Sequence, residues 1–256
     1  MSDDLSRILR EWPWDPENNV RLVTCEDGRK RVQIRVCVHG YHGILQFDCD
    51  GRPDGMRPYG RPFALDHFES LASADPAFRL DPAQAQELFD EGTMVYQRYV
   101  VLYQLGDYGR VVADTERNMR LFRFVHRVAA REEDRNHLER WWPYILRMHG
   151  AAQAMSKLAA SDSEGALACL DRAIAAVESL EHMDDETFQY ERGRSITVLT
   201  DLRRQIESRR PMGELEVLEG MLQRAVRTEK YELAARLRDQ IDELKQGGGR
   251  GPSAGA

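Results

Sequence analysis

The chain has 256 residues, 42% of them hydrophobic and 31% charged, with a formal net charge of -7. That apolar content is enough for a core, and the charge implies elements whose outer faces are heavily ionised. An acidic chain is excluded as a general polyanion binder unless it carries a local basic patch, and no run approaches the ~18 uninterrupted apolar residues of a membrane span.

Residues 1–18 read as a leader. Leu5, Ile8 and Leu9 suit one short helical turn, which Pro13 and Pro16 end. The start, MSDDLSRILREWPW, has early acids and no apolar run of the secretory kind. Cys25, Cys37, Cys49 and Cys169 form no CxxC pair, so the expectation is a cytoplasmic protein with reduced thiols.

Residues 19–63 carry strand signals. Val20–Thr24 is one run, Glu26-Asp27-Gly28 a turn, and Arg31–Val38 a second run. In that run Val32, Ile34, Val36 and Val38 alternate with Arg31, Gln33, Arg35 and Cys37. Gly40-Tyr41-His42-Gly43 reads as the next turn and Ile44–Cys49 as a third strand. Such a meander is too small to stand alone and should pack on the helices that follow. The stretch from Asp50 to Pro62 is dense in Gly and Pro and must be an ordered turn or loop.

From residue 64 to about 210 the chain reads as helical. Helices are expected from Pro82 to about Gln104, from Tyr108 past Val128, from Trp141 to Ala159 and from Ser163 to Leu180. A fifth, capped by Asp184 or Asp185, runs to about Arg209 with Phe188, Ile196, Leu199, Leu202 and Ile206 on one stripe. Leu102 to Phe122 and Ser156 to Leu180 are similar to tetratricopeptide hairpins. The distance between their breaks exceeds the ~34-residue period of such repeats, so the expectation is a helical-hairpin array and not a counted repeat.

The last folded segment, residues 213–246, reads LEVLEGMLQRAVRTEKYELAARLRDQIDELK from Leu215. Leu215, Leu218, Leu222 and Ala225 step by three and four, with Met221 beside them, and Ala234, Leu237, Ile241 and Leu244 do the same. Each set makes one apolar stripe on a helix. The break at Thr228-Glu229-Lys230 is short, so the helices must run antiparallel. Residues from 247 onward, rich in Gly, are expected to be a disordered tail.

This segment resembles the UvrB/UvrC motif. The matching residues are Leu218, Met221 with Leu222, Ala225, Glu229, Tyr231-Glu232, Ala234-Ala235, Leu237-Arg238-Asp239, Ile241 and Leu244. The resemblance implies a helical hairpin that binds proteins. It names excision-repair or chaperone–protease components, or a second copy of the chain, as partners. Those binding roles fall on Leu218, Met221, Leu222, Ala225, Tyr231, Ala234, Leu237, Arg238, Ile241 and Leu244. The rest of the chain does not resemble the excision-repair helicase or nuclease subunits. Two helices of ~15 residues are marginal alone in water, so the stripes need a third element, either a partner or the 185–209 helix of the same chain.

Other constellations are weaker. Cys37, His39, His42 and Cys49 are types that bind zinc, but alternation along the strands sends the thiols apart, so no metal and no cofactor is expected. Arg120, Arg123, Arg127 and Arg131 are spaced to line one helix face. They are a solvated or ion-paired face with Glu116, Glu132 and Glu133, or a contact for nucleic acid. Between Glu214 and Lys245, six bases face eight acids, a net of -2 and the wrong sign for binding phosphates. Trp141-Trp142-Pro143-Tyr144 reads as packing between helices. No phosphate loop, HExxH, GxSxG or dinucleotide fingerprint is present. The expectation is therefore an α+β, mostly α, non-catalytic adaptor, with a nucleic-acid-associated repair accessory as the alternative.

Overall fold

The computed structural model describes residues 5–209, 214–227 and 230–247; beyond 209 it describes side chains at 218, 220–224, 226–227, 230–231, 233 and 235–242. The break at Thr228-Glu229 and the tail after Gly247 lie outside the described residues. The chain divides into two compact units, Met1–Ile206 and Glu207–Ala256.

The first unit opens with a short helix, α1 (Ser6–Glu11), and three strands, β1 (Val20–Thr24), β2 (Lys30–Val38) and β3 (Tyr41–Asp48). The strands pair antiparallel in chain order. The β2–β3 turn is tighter than the sequence suggests. Val38 pairs with Tyr41, so His39 and Gly40 alone make the bend. Both have positive φ, 48° and 83°, the two-residue form whose twist suits an antiparallel ribbon. Tyr41, His42 and Gly43 therefore belong to β3, and Gly43 pairs with Val36 as an ordinary strand residue.

Seven helices follow: α2 (Ala64–Ala74), α3 (Pro82–Gln104), α4 (Tyr108–Val128), α5 (Glu132–His137), α6 (Trp142–Ala159), α7 (Ser163–Glu178) and α8 (Glu186–Arg209). The short α2 and α5 add to the five long helices expected. Aspartates start four of the five long helices, and α6 starts at Trp142-Pro143 without a side-chain cap. Asp81 and Gln84 form a reciprocal capping box on α3. The Asp107, Asp162 and Asp185 carboxylates each accept from a backbone N–H one turn on. Ser161, just before the Asp162 cap, turns left-handed to reverse the chain, φ 60°. Gly106, φ 76°, does the same between α3 and α4.

Three apolar clusters knit the first unit. Val32 is fully buried against Val95, Tyr99 and Leu102 of α3, with Ile34 and Phe47 beside it. The sheet thus lies on the helices by one face. The alternation weakens toward the hairpin: Val36 is half-buried and Val38 exposed. The opposite face is not simply polar. Arg35 is buried there, its guanidinium donating to the carbonyls of Trp12, Val36 and Gly43. The leader closes over it, with Trp12 under the Arg21 guanidinium at 4.1 Å. A second cluster joins α2, α3 and α4 through Leu65, Phe68, Leu88, Leu121 and Phe124, and a third joins α6, α7 and α8 through Ala154, Leu170, Val177, Leu199 and Ile206. Where α6 crosses α7, a Cβ placed on Gly150 would lie 2.2 Å from the Ala173 Cβ. Only glycine permits that approach.

A buried guanidinium and a buried carboxylate fix the Gly/Pro-rich loop. Arg98, reaching up from α3, donates to the carbonyls of Asp48 at 3.0 Å and Gly51 at 2.7 Å. Fully buried Glu91 accepts from the backbone N–H groups of Ala64 and Leu65 at the start of α2 and pairs with Arg52 and Arg117. Burial lowers the Arg117 pKa only to about 10, so its guanidinium is charged at neutral pH. No helix among the described residues is long and apolar enough to cross a membrane.

Candidate functional site

The second unit contains two helices, α9 (Glu214–Arg227) and α10 (Tyr231–Gly247), lying against one another. Only residues 228–230 join them. Leu237 is 4% exposed and packs against Leu218 and Leu222. That triad spans both helices and closes the hairpin. Ile241, one turn beyond Leu237, is equally buried. Met221, one residue off the closed stripe, is 49% exposed, and Tyr231 is 68% exposed. Val226 and Leu233 are exposed as well. Val226 ends α9, and Tyr231 and Leu233 begin α10, so three exposed apolar side chains flank the connection.

Residues 213–247 match the family model of the UvrB/uvrC motif. No curated protein and no solved structure matches the chain. The UvrB/uvrC motif thus lies in the second unit, and α1–α8 fall outside the match.

The residues expected to bind a partner through the UvrB/uvrC motif divide into two groups. Leu218, Leu222, Leu237 and Ile241 are turned inward or half-buried. Met221, Tyr231 and Arg238 are turned out. The side chains of Ala225, Ala234 and Leu244 lie outside the described residues. Val226 and Leu233 were missed. Each sits four residues from a seam residue, Leu222 and Leu237, on the turn side, so the same three-and-four stepping carried one turn further finds them.

The four arginines expected on one face of α4 do not form a single strip. Arg131 lies past the end of α4 and precedes α5, where it pairs with Asp134 at 2.8 Å. The helix ends at Val128 because residues 129–130 turn to bridge Leu80. Arg120 is held by Asp66 at 2.5 Å and Glu69 at 3.3 Å, both on α2, and not by Glu116. Arg123 stacks over Trp142 at 5.3 Å and Arg127 over Phe124 at 5.6 Å. In the Gly/Pro-rich loop, Arg52 is tied to Asp54 and Glu91.

Cys37 stands opposite His42 in the β2–β3 ladder, and the His42 Nδ1 lies 3.1 Å from Arg35. Cys49 is buried among the helices, where burial pushes its pKa up and keeps the thiol protonated. Among the described residues no group of three His, Cys, Asp or Glu side chains is placed to hold a metal ion.

Proposed function

We propose that this chain is a non-catalytic adaptor whose C-terminal hairpin binds a partner protein or a second copy of itself. The UvrB/uvrC motif is found in excision-repair and Clp-associated proteins, which supports a protein-interaction or repair-related role. The partner class proposed is accordingly an excision-repair component or a member of a chaperone–protease system. The observation that carries the reading is the division of apolar residues in the hairpin. Leu218, Leu222 and Leu237 consume one stripe in closing it, and Met221, Val226, Tyr231 and Leu233 stay exposed. Four exposed large apolar side chains on a unit this small give a partner apolar surface to cover.

The experiment is capture from native extract with the full chain and with a truncation ending at Ile206, alongside sedimentation of both. The adaptor reading expects at least one captured protein, or the dimer, to vanish with the truncation. Identical captures and identical sedimentation refute it.

A further inference from the structure

The β2–β3 hairpin reaches past the helices that carry the sheet. On the face that rests on α3, Val32 is fully buried, whereas Val38, Tyr41 and Leu45, further along the same face, are 53%, 81% and 57% exposed. β3 is also an outer strand, since the sheet runs β1-β2-β3.

The ladder fixes which backbone groups of β3 point outward. The two-residue turn makes Val38 and Tyr41 a hydrogen-bonded pair, and antiparallel pairs alternate from there. The Cys49 N–H keeps that phase by donating to Lys30, while the Asp48 N–H points away from β2 and donates to the Pro53 carbonyl. His42, Ile44 and Gln46 therefore turn their N–H and C=O groups to the free edge, and no backbone group meets them among the described residues. Natural edges are blunted by lysine, proline or a bulge. Between Tyr41 and Phe47 there is no Lys, Arg, Asp, Glu or Pro, and the strand pairs with β2 without a bulge. The opposite edge, β1, is shorter and carries Arg21, held by Gln33 and by Trp12 of the leader.

An unpaired edge accepts another strand, and this one matches itself. Turned about a two-fold axis at Ile44, His42 meets Gln46 of the partner subunit and Ile44 meets Ile44 of the partner subunit, so the outward groups pair throughout. On the apolar face, Tyr41 then stands opposite Phe47 of the partner subunit, and Leu45 opposite Gly43 of the partner subunit, which has no side chain to obstruct it. No like charges meet along the seam. The helices of each first unit lie under its own Phe47 end, and antiparallel pairing sets those ends roughly 20 Å apart.

The geometry points to the free edge of β3 as an interface with a second copy of this chain, joining two sheets into one. This surface lies wholly within the first unit and is independent of the C-terminal hairpin.

Sedimentation velocity over a dilution series tests it on the full chain carrying Met221→Ser and Leu233→Ser, which takes the exposed hairpin residues out of the result. The expected result is a monomer–dimer equilibrium that Ile44→Pro shifts to monomer. That variant deletes an N–H that β2 does not use, and proline is tolerated on an outer strand, so circular dichroism should match the parent. Ile44→Cys tests the register. At the two-fold axis its thiol meets its own copy within disulfide reach, so mild oxidation should cross-link it beyond the parent, and Tyr41→Cys should not be cross-linked. If the proline variant fails to fold, the two cysteine variants decide. A monomer at every concentration, a dimer that folded Ile44→Pro leaves intact, or no added cross-link at Ile44→Cys overturns the proposal.

Discussion

Arg98 and Asp114 form a two-point ion pair sealed between α3 and α4, with Nε to Oδ2 at 2.8 Å and Nη2 to Oδ1 at 2.6 Å. Burial pushes the Asp114 carboxyl up, and the guanidinium opposes that shift. The remaining nitrogen of Arg98 holds the end of β3 and the turn after it. One side chain therefore ties the sheet to two helices. Arg98→Met should cost about 3–5 kcal/mol, because Asp114 is left buried and unpaired. Adding Asp114→Leu should recover part of that loss, since removing both charges removes the desolvation penalty. Urea denaturation of the parent and the two variants measures it. A single variant as stable as the parent would show that the pair holds nothing together.

The hairpin separates closure from recognition. Leu237→Ala removes the centre of the Leu218–Leu222–Leu237 contact and should loosen the second unit, at a cost of ~2–5 kcal/mol on a fully packed site. Circular dichroism should fall, and partner capture with it. Met221→Ser with Leu233→Ser changes only exposed positions and should leave helicity intact while capture or self-association is lost. If the exposed pair binds as the parent does, the docking surface lies elsewhere.

On the sheet, burial and not strand membership should decide tolerance. Val32→Asp places an unpaired charge at a site with no exposure. The first unit should then lose its cooperative melt below 37 °C or melt much lower than the parent. Val36→Asp, half-buried, should be milder, and Val38→Asp close to neutral. Thermal scans of the three rank them, and a different order would mean that the sheet packs by another face.

Acid should weaken the first unit through His149. Its Nδ1 lies 2.9 Å from Thr115 Oγ1, and burial lowers its ionisation below the usual imidazole value of 6.5. The folded state thus favours the neutral ring. The stability it contributes is present above about pH 6.5 and is lost as the pH falls through the lowered value. His137, stacked on Phe89 at 4.3 Å, is shifted the same way by burial. His149→Gln keeps a polar partner for Thr115 and should flatten the slope of melting temperature between pH 7.5 and 5. An unchanged slope would assign the acid sensitivity to other groups.

The long helices were legible because their signals are local. Asp81, Asp107, Asp162 and Asp185 cap helices within three residues of themselves, and the Phe188–Ile206 stripe repeats within one segment. The closed seam of the hairpin was legible for the same reason. What the sequence did not disclose depends on distant partners. Arg120 is spaced like a ligand for an anion, but Asp66 and Glu69 occupy it from 54 and 51 residues away. Arg35 alternates as an outward residue and is buried because the leader folds back over it.

The crossing of α6 over α7 also has a bearing on descent. Gly150 and Ala173 occupy a space that holds one methyl group and no second. Position 150 can therefore gain a methyl group only where 173 has lost its own, and a relative with alanine at 150 is expected to carry glycine at 173. A larger residue at either place would separate the helices and reopen the Leu170–Leu199 packing beneath them. This 24-residue interval is a signature written by steric exclusion, and it lies in the part of the chain that the hairpin motif does not reach. Ancestry of the first unit is better traced through that coupled pair than through its charged surface, which can vary at little cost.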